Sequence, residues 1–182
     1  MKTNITQTLV DEHQLILRMI ALLEQNAPLT AAGAYTNWQF YLDGIDFIRQ
    51  YADRFHHAKE EDVLFEALVA NGMPRDHSPV AAMLMEHDLG RSHVRQLEEA
   101  VREARAGRNE RYPAIAEHAL AYAELLKDHI AKEDAVLYPL AERVLPEGVR
   151  ADILQRYKTA EQRTPEGFSR HYGQIVDQYE KS

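Results

Sequence analysis

Two stretches of this chain carry nearly the same text. His56 to Phe65 reads HHAKEEDVLF and His129 to Tyr138 reads HIAKEDAVLY, an offset of 73 residues. Two more histidines repeat at almost the same offset, His13 in DEHQ and His87 in MEHD, 74 residues apart. Each half therefore offers one His followed 42 or 43 residues later by His-x-x-x-Glu. Four residues carry an α-helix about 40° past a full circle and about 6 Å along its axis, so such a His and Glu share one face and can hold one metal centre. The candidate ligands are His13, His56, Glu60, His87, His129 and Glu133. Four imidazoles and two carboxylates give two ions two nitrogens each, with both glutamates placed to bridge, a set that suits iron, manganese or zinc. Hydrogen-bonded core histidines would explain each residue singly. Two buried carboxylates beside four imidazoles are costly unless something cationic neutralises them. Two divalent ions would leave the centre electropositive, with room for water, hydroxide, peroxide or another small anion.

The elements that must position these residues are helices. Leu9, Val10, Ile16, Leu17, Ile20 and Leu23 recur at helical spacing, with Asn26 and Pro28 as the expected stop. A second helix is expected from about Thr36 to Ala70, a third from the Ser78 cap and Pro79 to Gly107, and a fourth from about Arg111 to before Pro146, bent or frayed near Pro139. Two shorter amphipathic stretches follow, 149–163 and 168–179. No strand period appears, so the expected fold is all-α, a four-helix antiparallel bundle over residues 1–146 with a C-terminal helical extension over 147–182 packing on the same domain. The apolar neighbours of His13, His87 and His129 place them on core stripes, with Val136, Leu137 and Leu140 following Glu133 on the stripe of His129. For the second helix Ala52, Ile48 and Ile45 lead into His56, whereas Asp53, Arg54 and Gln50 lead into His57, which selects the register His56 with Glu60 over His57 with Glu61. His13 lies nearer its expected loop than His56 does, a mild strain on the first hairpin.

Composition narrows the function classes. Among 182 residues, 21 Lys and Arg against 29 Asp and Glu give a net charge of -8, which disfavours nucleic acid and anionic membrane as partners. The absence of cysteine removes disulfides, thiolate nucleophiles and iron–sulfur ligation, so redox chemistry would need His and carboxylate ligands. The N-terminal text has no apolar run of signal-peptide type, and a cytoplasmic protein is the expectation.

The order His, His-x-x-x-Glu, His, His-x-x-x-Glu with its KEE-x-VLF and KED-x-VLY flanks resembles the hemerythrin-like, or HHE cation-binding, domain over about residues 5–145. The resemblance implies an up-down-up-down four-helix bundle holding two non-haem iron ions bridged by the two Glu residues and an oxo or hydroxo group. It also implies a small ligand such as dioxygen, peroxide or nitric oxide, in sensing, detoxification or iron-centre repair. A peroxide- or nitric-oxide-metabolising oxidoreductase and an iron-donating or storage protein are the alternatives, with structural zinc as the blandest. Oxygen-carrying members add a fifth His one turn beyond the helix-three ligand, where this chain has Arg91, and they space the helix-four His and carboxylate by five residues with an Asp. Both departures speak against reversible oxygen transport and place the chain in the four-His subgroup. A monomer or homodimer is expected.

Other residues carry less. His93 falls about 240° around the helix from His87, and His118 lies about 16 Å before His129, so neither reaches the centre. His57 and Glu61 are either a solvated pair or groups that orient the ligands. Tyr122 reads as a core aromatic, and Trp38, Phe40 and Tyr41 as a cluster that seals the bundle end or meets a second copy.

Overall fold

The computed structural model describes residues 2–181, and these are helical apart from short connections, with no strand among them. The first helix, α1, spans Gln7–Ala31. The Asn37 side chain accepts from the Phe40 N–H and opens α2, Trp38–Phe47, which runs without a break through π-helical Ile48–His57 and Glu60–Phe65 into α3, Glu66–Ala70. Helix α4, Pro79–Arg105, begins where Ser78 Oγ accepts from the Ala81 N–H, and ends before Gly107, whose φ of 96° needs a residue without Cβ. A 3-10 turn at Asn109–Arg111 leads into α5, Tyr112–Lys132, which continues through π-helical Glu133–Leu137 into α6, Tyr138–Val144. Helices α7, Glu147–Glu161, and α8, Phe168–Glu180, complete the chain. No helix of the described residues is long and apolar enough to cross a membrane.

Helix α1 does not stop at Pro28 as the sequence suggested. Proline removes one backbone bond, but Asn26 Nδ2 donates to the Leu22 carbonyl and Thr30 Oγ1 bonds both the Asn26 carbonyl and the Tyr41 hydroxyl, at 2.7 Å. Burial of Ala27 and Thr30 then secures the last turn. The added turn moves the loop to around Gly33, nearly midway between His13 and His56, and the expected strain on the first hairpin disappears.

Two apolar clusters make the core, and each ligand helix passes from one to the other through its candidate ligands. Leu9 precedes His13 and Ile16 follows it, Phe55 precedes His56 and Val63 follows Glu60, Met83 and Val94 flank His87, and Leu126 and Leu137 flank His129 and Glu133. The C-terminal helices cover the outside. Tyr172 and Tyr179 of α8 pack on Phe47 and Phe40 and donate to Asp46 and Asp43, while buried Arg150 of α7 pairs with Glu142 and donates to the Thr3 carbonyl. Phe40 and Tyr41 are fully buried, so the aromatic cluster seals one end of the core.

Candidate metal centre

The winding of two helices decides which residues face inward. Along Ile48–His57, Glu60–Phe65 and Glu133–Leu137 the backbone bonds run i→i+5, so each residue turns less than in an α-helix. Adjacent residues can then point the same way. His56 and His57 are both buried, and Leu137 and Tyr138 face inward while Val136, expected on the core stripe, is 56% exposed. The six sequence candidates are all brought together and each is at most 2% exposed.

They form two groups that share a carboxylate. Ligand-capable atoms of His13, His56, Glu60 and Glu133 lie within 4.8 Å of one another, as do those of His57, Glu60, His87 and His129. The Nε2 atoms of His13 and His56 approach to 3.0 Å, and those of His87 and His129 also to 3.0 Å. The carboxylates span the two pairs. Glu60 Oε2 lies 3.7 Å from His56 Nε2 and 3.5 Å from His87 Nε2, while Glu133 reaches His13 with Oε2 at 3.3 Å and His129 with Oε1 at 3.1 Å.

A ring of acids fixes the imidazoles from behind, and it repeats the internal symmetry of the sequence. The Nδ1 of His13 meets Asp134 at 2.9 Å and that of His87 meets Glu61 at 2.7 Å. The Nδ1 of His56 meets Glu12 at 2.8 Å and that of His129 meets Glu86 at 2.9 Å. Lys59 and Lys132 pair with Glu12 and Glu86 in turn. With four carboxylates accepting from Nδ1–H, the four Nε2 lone pairs are left facing one another. Glu60 Oε2 and both oxygens of Glu133 are also buried without a hydrogen-bond partner. Lone pairs converging 3.0 Å apart beside orphaned carboxylate oxygens need positive charge, and bound metal would meet that need. The donor set fits the ions expected from the sequence.

The protonation pattern points the same way. Burial opposes charging of His13 and His87, but Asp134 and Glu133 around the first, and Glu60 and Glu61 around the second, raise both to about 9. Burial opposes ionisation of Glu60, yet the imidazoles of His56, His87 and His57 hold its carboxyl well below the usual range. Without a metal, the cluster draws in protons.

His57 is the residue that sequence reasoning undervalued. A 100° helical step put it on the face of Asp53 and Arg54, whereas the π-helical step turns it inward, where its ring stacks on His87 with centroids 3.8 Å apart. Its Nδ1 lies 3.3 Å from Asp53, which Arg91 holds at 2.7 Å, and burial together with the His87 charge pushes its pKa down to about 3. A neutral imidazole is the form that ligates a metal. The count of buried imidazoles at the centre is therefore five rather than four, with the fifth from the second long helix instead of from the position of Arg91. Glu61 orients His87 rather than pairing with His57. The signal in the sequence was the doubled His at 56–57, whose meaning depends on a winding that residue spacing alone does not reveal.

Two departures break the internal symmetry. Tyr138 stands where the first half has Phe65, donates to Glu60 Oε1 at 2.6 Å and stacks on His13. His57 stands where the second half has Ile130. His93 and His118 lie beside each other, ring centroids 5.9 Å apart, and neither joins a metal-capable group.

Comparison with curated proteins and with solved structures gives no match. The hemerythrin HHE cation binding domain matches residues 4–141, a span that takes in both metal-capable groups and the acids behind them. The chain therefore belongs to the hemerythrin HHE cation-binding family.

Proposed function

We propose that this protein holds a non-haem di-iron centre that binds or reacts with a small oxygen-derived or nitrogen-oxide ligand. The single observation that carries the reading is the convergence of paired Nε2 atoms, 3.0 Å apart in each pair, on two carboxylates with orphaned oxygens. His13 and His56 would hold one ion, His87 and His129 the other, and Glu60 and Glu133 would bridge. His57 is the additional imidazole available to the second ion. An up-down-up-down bundle over residues 1–146, with 147–182 packed on it, is supported by the alternating order in which the four ligand helices traverse the two apolar clusters.

Such an iron pair supplies electrons and coordination positions to a small ligand. The protein's own part is to fix the ligands and to limit protons. Asp134, Glu12, Glu61 and Glu86 hold the imidazoles in one tautomer, and the Tyr138 hydroxyl, 2.6 Å from Glu60 and 3.3 Å from His13 Nε2, is placed to give a proton at the centre. The enzymatic reading, peroxide or nitric oxide turnover, is favoured by that phenol. The fifth imidazole removes one argument against reversible oxygen binding.

The test is anaerobic ferrous loading with an iron count per chain, followed by exposure to air. About two irons in the parent protein and loss of iron in both Glu60→Ala and Glu133→Ala are expected. Full iron content in both variants refutes the centre. Tight binding of zinc with no uptake of iron supports a structural ion instead.

A further inference from the structure

Beside the centre lies a cavity of about 280 Å³ whose chemistry the small-ligand function does not use. Its walls include Ile48, Val94 and Leu126, an apolar surface of the kind that receives the body of an organic molecule. The imidazoles of His57 and His87 line it as well. Tyr122 also lines it, and the Tyr122 hydroxyl, buried with the rest of its side chain, has no hydrogen-bond partner. Oxygen, peroxide and nitric oxide need neither an apolar chamber of this size nor a phenol at its wall.

The charges around the cavity are unequal. Asp53 and Glu86, its two acids, are already paired, with Arg91 and with Lys132. Arg49 is paired with Glu98. Arg54 and Arg95 line the same cavity, are exposed, and have no carboxylate partner among the described residues. Arg54 makes a long bond to the neutral Gln50 side chain. Two guanidinium groups without a carboxylate partner at an apolar chamber match an organic anion, and a guanidinium pairs with a carboxylate through two parallel N–H bonds.

We propose that this cavity binds a small organic carboxylic acid, its apolar body against Ile48, Val94 and Leu126, its carboxylate at Arg54 and Arg95, and the Tyr122 hydroxyl available to a polar substituent. The acid would sit against the His57 and His87 side of the centre. This extends the proposed function by adding an organic ligand, but binding itself requires only the cavity, so it is measured on metal-free and metal-loaded protein alike.

The probe is phenylacetate, with the uncharged phenylacetamide as its control, titrated against the full chain by calorimetry and by protein NMR. Saturable binding of the acid, at least tenfold tighter than of the amide, is expected in both metal states. The double variant Arg54→Ala with Arg95→Ala, both on the surface and safe for folding, should erase the tenfold preference. Gly90 lines the cavity, and a Cβ there meets the Tyr122 ring at 3.5 Å, so Gly90→Leu should fill the space and weaken binding of acid and amide together by tenfold or more. No saturable binding of phenylacetate, equal binding of acid and amide, or unchanged binding in the arginine variant overturns the proposal. Binding of the acid to a protein that takes up no iron would leave the cavity standing and refute the di-iron reading. Iron uptake without acid binding does the reverse.

Discussion

The ammonium of Lys59, fully buried, pairs with Glu12, whose other oxygen lies 2.8 Å from Nδ1 of His56. Its counterpart in the second half, Lys132 on Glu86, is 46% exposed. The same chemical role is thus played once in the interior and once at the surface. Removing one partner of a buried pair strands a charge and costs about 3 kcal/mol or more, whereas an exposed pair contributes about 1 kcal/mol or less. Lys59→Met should therefore lower the urea midpoint of metal-free protein sharply and Lys132→Met hardly at all. Equal losses would show that the two halves are electrostatically equivalent.

Asp134 bonds the Nδ1 of His13 from a half-exposed position and belongs to neither metal-capable group. Replacing such an orienting acid typically weakens metal binding about 10–100-fold. Asp134→Ala should release iron to a competing chelator at correspondingly lower chelator concentration, with the iron count at saturation unchanged. A changed count would make Asp134 a ligand.

The metal-free protein should lose stability as pH rises. His13 and His87 are raised from 6.5 to about 9 in the fold, so the native state binds more protons than the unfolded chain between those values. The stabilisation is complete below about 6.5 and disappears as pH passes 9. A loss on the order of 2 kcal/mol would lower Tm by roughly 4–8 °C for a domain of this size. Metal-loaded protein, whose positive charge is supplied by ions, should show little of this slope. Thermal scans of both forms across that window decide it, and a metal-free Tm that rises with pH would contradict the arrangement.

His57→Leu keeps the bulk of a residue that is held neutral, so it should leave folding nearly intact and act on one ion only. Chelator release of iron should change from one phase to two, with about half the iron lost early. Uniform release, as in the parent protein, would place His57 outside the coordination of either ion.

Tyr138→Phe removes the donor to Glu60 Oε1 and leaves that oxygen buried without a partner. An orphaned buried acceptor costs about 1–3 kcal/mol. The metal-free variant should lose that much stability, and restoring metal should return most of it, since an ion satisfies the carboxylate. Thermal unfolding with and without metal measures the difference.

Much of this was legible in the sequence, and the residues show why. The doubled His-x-x-x-Glu text and the His13 and His87 repeat single out six residues that the structure brings together, because residue type and spacing are written directly in the chain. Ser78, Pro79 and Gly107 mark the ends of α4 through local backbone chemistry that needs no tertiary information. Pro28 misled because its cost is local while the compensation, from Thr30 to Tyr41, comes from another helix. His57 and Val136 misled for a different reason. A helical wheel assumes one rotation per residue, and that assumption fails where the helix winds i→i+5. The acids behind the imidazoles were legible only in part, since Glu12, Glu86 and Asp134 stand beside ligands in the text but act on ligands of other helices.

The loosely wound stretch before His56 makes this protein sensitive to length in an unusual place. Deleting one residue within 48–55 would let the segment rewind as ordinary α-helix, with its helicity and apolar character kept. An i→i+5 turn takes up about one residue more than an α-helical turn, so what lies beyond the deletion would keep nearly its direction relative to what lies before it. His56 and Glu60 would keep their face, but His57, which the loose winding turns inward, would return to the face of Asp53 and Arg54 and leave the centre. Between two relatives of this chain, a one-residue gap inside this helix is therefore a change of chemistry, while a gap of the same size in the turn at Gly33 is only a change of outline.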